Sequence, residues 1–310
     1  MKKIIVGSEG MGGQWGGKVI MYLLKKIGYD EIIYKNIYNC KFIIKSHFLN
    51  IEKKWNRTKN RYIYWSGESY IPEKSNKETK SIYMLTTLEN MNNYIYIPFV
   101  LYSPYLYLER KYNNINRKYL LAYCNSNHVK EREDIFDIFI EKTSINLCHA
   151  LGNCCGKYPN SRILKASGGW DDKILIDIYK DYKFVIAMEN LCKDGYVTEK
   201  ILNAFYSGAI PIYWGSNNIT KFFNKKAFIN VSDFNTFEEC VNYVVNMKDE
   251  QIREMSNEPI YMNDDLINQK DLSNNPYGID LINLLNDDYN KKNDNKILNE
   301  YINIFKKFIE

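Results

Sequence analysis

The sequence predicts an α/β fold built of parallel sheets. Three observations carry that expectation. Short apolar runs of strand length alternate with amphipathic stretches of helix length along much of the 310 residues. One stretch, 184–215, reads strand, loop, helix, strand, which is a single crossover unit of a parallel sheet. Polar loops carrying glycines, amides and carboxylates follow the apolar runs, and open α/β sheets bind ligands at the carboxyl ends of their strands.

Taken in order, Lys3 to Gly7 is the first strand. It leads into Gly7-Ser8-Glu9-Gly10-Met11-Gly12-Gly13-Gln14-Trp15-Gly16 and then a helix pattern from Lys18 to Ile27. This opening is Rossmann-like. It departs from G-x-G-x-x-G because Trp15 stands where the third glycine would fall. Glycines there also serve a tight turn lining a cleft. Arg61 to Trp65 is a strand that ends at Ser66-Gly67-Glu68-Ser69, so Glu68 lies just past a strand end. A polar loop, Tyr70 to Ser81, follows.

Lys118 to Tyr123 is the next strand, followed by Cys124-Asn125-Ser126-Asn127 and a helix from about Arg132 to Ile140. Ile145 to His149 is a strand leading into Leu151-Gly152-Asn153-Cys154-Cys155-Gly156-Lys157. Phe184 to Met188 is a buried strand, and the polar loop from Glu189 follows it. Thr198 starts a helix that stops at Ser207-Gly208. Thr198 is an N-cap candidate, since its oxygen can satisfy a free amide of the first turn. Glu199 and Lys200 then sit beside amides that favour anions, where a lysine can meet phosphate and a carboxylate can accept from sugar hydroxyls. Ala209 to Trp214 is a strand closed by Gly215. Residues 236–247 form an amphipathic helix, 286–296 a polar linker, and 297–309 a last helix expected to pack on the N-terminal domain.

Bulk properties narrow the function classes. A net charge of +5, from 42 basic and 37 acidic side chains, is too mild to argue for nucleic acid. Asn, Ile, Lys and the 27 tyrosines are abundant, which reads as coding bias and devalues single Asn and Tyr residues as evidence. The cysteines are Cys40, Cys124, Cys148, Cys154, Cys155, Cys192 and Cys240. Their odd number and the lack of C-x-x-C suit a reduced compartment, and the adjacent pair Cys154-Cys155 is poorly placed for a disulfide or tetrahedral zinc. Met1-Lys2-Lys3 runs straight into a strand and no run of about 18 apolar residues exists. The expectation is therefore a cytoplasmic protein, with membrane contact at most peripheral, through the C-terminal helix.

The residues Phe184, Glu189, Asn190, Tyr196, Val197, Thr198, Glu199, Lys200, Asn203, Ala204, Gly208, Ile210, Pro211 and Gly215 form a pattern. It resembles the nucleotide-sugar signature of the α1,3/4-fucosyltransferases, an inverting family. The similarity is strong from about 182 to 234, weaker across 60–160 and faint elsewhere. The resemblance implies the GT-B fold: two Rossmann-like domains facing each other across a cleft, here 1–146 on the acceptor side and 147–285 binding GDP-fucose. Residues 286–310 would be the linker and returning helix. It implies transfer of L-fucose from GDP-β-L-fucose to O3 or O4 of a GlcNAc/Glc-type residue of a glycan acceptor, giving an α-fucoside.

The resemblance also assigns roles. Tyr64-Trp65-Ser66-Gly67-Glu68 is similar to the family segment that supplies the general base, so Glu68 is the catalytic candidate. Donor-binding candidates are Lys157, Glu189, Asn190, Tyr196, Val197, Thr198, Glu199 and Lys200. Lys157 stands where relatives often have Arg, and Lys lacks the two-pronged contact. Ser126-Asn127 with Arg132 resembles a family segment whose arginine lies near the domain junction. Gly12, Gly13 and Trp15 are weak acceptor-side candidates. No metal ligands and no required cofactor are expected, because Asp171-Asp172 and Asp264-Asp265 are not D-x-D; Mn or Mg would at most stimulate. Two other readings stay open: a nucleotide-sugar-binding protein without turnover, and a dinucleotide-dependent oxidoreductase using the Gly10 region.

Overall fold

The computed structural model describes residues 2–9, 15–35, 40–46, 61–69, 81–90, 93–102, 117–166, 173–261 and 296–310. Gly12, Gly13, Asp171, Asp172, Asp264, Asp265, the loop from Tyr70 to Lys80 and residues 286–295 of the linker lie outside these. So does the side chain of Trp15, although its backbone opens a helix.

The chain divides into two compact units, one of residues 1–102 with 265–310 and one of residues 103–264. The first is built on β1 (Lys3–Glu9), β2 (Glu31–Lys35), β3 (Phe42–Ser46), β4 (Tyr62–Ser66), β5 (Ser81–Leu85) and β6 (Tyr94–Tyr96). The sheet order is β2-β1-β3-β4-β5-β6. Every neighbouring pair is parallel. All five residues of β4 are buried, as expected of a strand covered on both faces. Helix α1 (Trp15–Lys26) buries Val19, Ile20, Leu23 and Leu24, the i, i+1, i+4, i+5 stripe of an amphipathic helix.

The second unit holds β7 (Tyr119–Tyr123), α2 (Lys130–Lys142), β8 (Cys148–Ala150), α3 (Lys173–Tyr179), β9 (Tyr182–Ile186), α4 (Glu199–Tyr206), β10 (Ile210–Tyr213) and β11 (Ile229–Asn230). Helices α5 (Phe237–Val245) and α6 (Asp249–Asn257) follow. Its sheet runs β11-β10-β9-β7-β8, again all parallel. From β7 the chain steps outward to β8, then returns to the other side of β7 as β9. The strand order therefore reverses between β7 and β9, and a crevice opens at such a point beyond the carboxyl ends of the strands.

The expected domain boundary at 146 differs from this division. Alternating strand and helix signals do not say which sheet a strand joins. Pairing does: β7 bonds to both β8 and β9, so β7 and α2 belong to the second unit.

Helix α7 (Lys296–Ile309) packs within the first unit. Phe305 and Phe308 meet the ring of Phe42 edge-on, and the Tyr301 hydroxyl donates to the Tyr96 carbonyl. Tyr301, Phe305, Phe308 and Ile309 are buried. The apolar face through which peripheral membrane contact was at most expected is thus covered by the unit itself. No helix among the described residues is long and apolar enough to cross a membrane.

Candidate functional site

The carboxyl end of β9 carries a polar cluster built almost wholly from one short stretch of sequence. Glu189 follows the strand and is fully buried. One carboxylate oxygen accepts from the Thr198 backbone N–H at 2.8 Å. The other accepts from the Thr198 hydroxyl at 2.8 Å and from the Lys200 ammonium at 3.2 Å. Lys200 also donates to the Thr198 hydroxyl oxygen at 3.0 Å, and Glu199 Oε1 lies 3.8 Å from its ammonium. Thr198 is the N-cap of α4, as its residue type suggests. Burial works against the charge on Lys200, but Glu189 and Glu199 outweigh it, so its pKa lies above the usual lysine value. Burial pushes the Glu189 carboxyl up, against the opposing pull of Lys200 and Thr198.

Glu189 thus spends both oxygens on neighbours. It was expected to bind the donor; here its bonds go to Lys200 and to Thr198 at the start of α4. The loop itself is stitched to the turn after β10. The Glu189 N–H donates to Trp214 O, Gly195 N–H to Ser216 Oγ, and the Cys192 thiol to Gly215 O. Gly215 is required by space: a Cβ there would lie 2.7 Å from Glu189 Cγ and 2.7 Å from the Tyr213 hydroxyl. Tyr196, Val197 and Glu199 are buried, and Asn190 is half-buried.

Arg132 completes the cluster and was absent from the expected donor set. It projects from the first turn of α2 and is fully buried. Its guanidinium donates to Asn125 Oδ1 at 2.6 Å and Asn127 O at 2.8 Å, both beyond β7, and to Met188 O at 3.3 Å, beyond β9. It therefore bridges the reversal point of the sheet. Burial lowers its pKa, while Glu189 among others favours its charge, and its own charge opposes that of Lys200. Among the described residues, Arg132 Nε and Asn125 Nδ2 are buried donors without an acceptor. The sequence signal was present: an arginine on the apolar face of an amphipathic helix, directly after a strand-end loop.

Lys157 stands apart from this cluster. Its backbone N–H donates to Asp137 Oδ1 at 2.9 Å, and its ammonium lies 3.7 Å from Asp137 Oδ2 on α2. The side chain is 75 % exposed. Its contacts are with Asp137, so a role on a diphosphate would need the ammonium to swing away.

In the first unit, Glu68 follows β4 and is partly exposed. Its N–H donates to Ser66 Oγ at 3.2 Å, and its carbonyl accepts from Thr86 Oγ1 at 3.2 Å. Gly67 beside it is hemmed in: a Cβ there would meet the Phe99 ring at 3.0 Å and the Trp65 ring at 3.1 Å. Backbone bonds and aromatic walls therefore set where the Glu68 side chain leaves the chain.

Comparison with known proteins places this arrangement. Residues 113–256 match the model of glycosyltransferase family 10 (fucosyltransferase), C-terminal part. The chain is 46 % identical over 76 residues to an α-(1,3)-fucosyltransferase of Helicobacter pylori, covering 24 % of this chain and 16 % of that protein. It is 39 % identical over 71 residues to an α-(1,4)-fucosyltransferase of Arabidopsis thaliana, covering 23 % of this chain and 18 % of the relative. The chain thus spans under a fifth of the length of these two relatives. A crystal structure of an α1,3-fucosyltransferase with GDP-fucose aligns over 100 % of this chain and 91 % of its own, with a TM-score of 0.63 at 16 % identity. A second, with GDP, aligns over 99 % and 90 % at the same TM-score and 17 % identity. At that identity the likeness shows the fold, which is that of two parallel α/β sheets.

Proposed function

We propose, on the premise that residues 113–256 belong to glycosyltransferase family 10, that this protein moves L-fucose from GDP-β-L-fucose to a glycan hydroxyl. The product is an α-fucoside, formed with inversion, and the acceptor position is O3 or O4 of a GlcNAc/Glc-type residue. The observation that carries this reading is the buried ionic cluster at the sheet reversal of the second unit. There a buried carboxylate fixes Lys200 at the N-terminus of α4, beside an arginine with a donor to spare.

The chemistry follows from the residues. Departure of GDP puts charge on a diphosphate oxygen. Lys200, Arg132 and the first amides of α4 are donors and dipoles suited to that charge. Glu189 holds Lys200 charged and oriented beforehand, so little reorganisation is left for the moment of reaction. Glu199, Asn190 and Tyr196 would meet ribose, sugar or base. Lys157 would join only by leaving Asp137. Glu68 would accept the proton of the attacking hydroxyl, which needs a carboxylate within hydrogen-bond reach of that oxygen. No required cofactor is proposed, and Mn or Mg at the diphosphate would at most stimulate.

The test is incubation of the purified chain with GDP-fucose and an array of GlcNAc- and Glc-containing glycans, read by mass spectrometry. The reading expects a mass gain of one deoxyhexose on a subset of glycans, with release of GDP. GDP binding with no transfer to any glycan would favour the alternative, a nucleotide-sugar-binding protein without turnover.

A further inference from the structure

We propose that His128, Glu133 and Cys154 form a binding site for one zinc-type divalent ion at the N-terminal turn of α2, separate from the Glu189–Lys200 cluster. The three side chains come from three segments: the loop after β7, α2 itself, and the loop after β8. One ligand atom of each, an imidazole nitrogen, a carboxylate oxygen and a thiol sulfur, lies within 4.8 Å of the other two. The His128 Nδ1 to Glu133 Oε1 distance is 3.2 Å. A tetrahedral zinc ion wants its ligand atoms roughly 3.3–3.5 Å apart. One edge of the triangle is close to that length, and the other two, at no more than 4.8 Å, would have to close by at most about 1.5 Å.

The surroundings fit the chemistry. Cys154 is fully buried, and its N–H donates to Asn125 O at 3.1 Å, which fixes the origin of its side chain. The Tyr123 hydroxyl donates to Glu133 Oε1 at 3.1 Å, an outer bond of the kind that orients a ligating carboxylate. The His128 side chain is 73 % exposed, which gives an entry route and leaves a fourth position to water. A mixed nitrogen, oxygen and sulfur set is borderline-soft and selects zinc over magnesium or manganese. On binding, the Cys154 thiol gives its proton to solvent. Thiolate and carboxylate then offset the two charges of the ion, so the occupied site is neutral and only one positive charge is added beside Arg132. Sequence spacing pointed away from zinc because it weighed only neighbouring cysteines; the partners here are 21 and 26 positions away in the chain.

The competing description is a surface ion pair between His128 and Glu133 next to an ordinary core cysteine. The chelator-stripped 310-residue chain, its His128→Ala variant and its Cys154→Ser variant are each titrated with zinc against a chromophoric chelator, and with cobalt in parallel. His128→Ala trims an exposed side chain and keeps the comparison valid should Cys154→Ser not fold. The proposal expects wild type to take up one more zinc per chain than His128→Ala, to melt at higher temperature with zinc, and to show a thiolate-to-cobalt charge-transfer band. Equal zinc uptake by wild type and His128→Ala, or the lack of that band in wild type, overturns it.

Discussion

The loop after β9 and the loop after β4 are positioned in different ways. After β9, a fully buried carboxylate, a hydroxyl and an ammonium bond to one another, and the turn after β10 holds the loop from the far side. After β4, Glu68 keeps its carboxylate partly exposed and is placed by its backbone bonds and by the Trp65 and Phe99 rings around Gly67. The difference teaches what each site is suited to do. A fixed cation that stabilises charge gains from an interlocked, buried frame. A group that must take up and release a proton cannot have its oxygens committed to neighbours.

The largest expected effect comes from removing the less constrained group. Glu68→Gln keeps the shape and removes proton acceptance, so fucose transfer should fall ~10²–10⁴-fold in initial-rate assays while GDP affinity stays the same. A near wild-type rate would mean that the proton goes elsewhere.

Breaking the interlocked frame should show first in stability. Glu189→Ala leaves the Lys200 ammonium without its main partner in a buried setting, a change typically worth about 3–5 kcal/mol. Denaturant unfolding should report a loss of that size, and GDP affinity should fall with it. An undiminished unfolding midpoint would show that Glu189 braces nothing. Gly215→Ala presses on the same carboxylate from behind. Its Cβ would lie 2.7 Å from Glu189 Cγ, so a loss of about 1–3 kcal/mol is expected in the same experiment. Lys157→Ala should do least. An ion pair with a 75 % exposed lysine contributes little, so GDP affinity should change by less than about twofold. A tenfold loss would return Lys157 to the donor site.

Much of the second unit was legible because its signals are local. The apolar run before Glu189, the Thr198 cap and the stop at Ser207-Gly208 each depend on neighbours in sequence, and the structure places β9, α4 and β10 accordingly. The domain boundary was not legible, since it depends on β7 pairing with β9 some sixty residues later. The bonds of Glu189 were not legible for a related reason. A carboxylate in a ligand loop looks like a ligand group until its burial and its bonds to Thr198 and Lys200 are known. Arg132 was singled out with Ser126-Asn127 but left out of the donor candidates, because residue type says little about whether a helix directs a charge inward. The helix 297–309 was read from its apolar stripe and expected to pack on the N-terminal domain, yet the stripe did not say that Phe42 and Tyr96, more than 200 residues away, receive it.

The central claim is that the frame after β9 exists to present Lys200 to a diphosphate. Calorimetric titration of GDP into wild type and Lys200→Ala, each first shown to be folded by circular dichroism, tests it most directly. The account predicts that the variant loses ~1.5–3 kcal/mol of binding free energy, the worth of a charge-assisted hydrogen bond. Unchanged GDP affinity in a folded variant would contradict it.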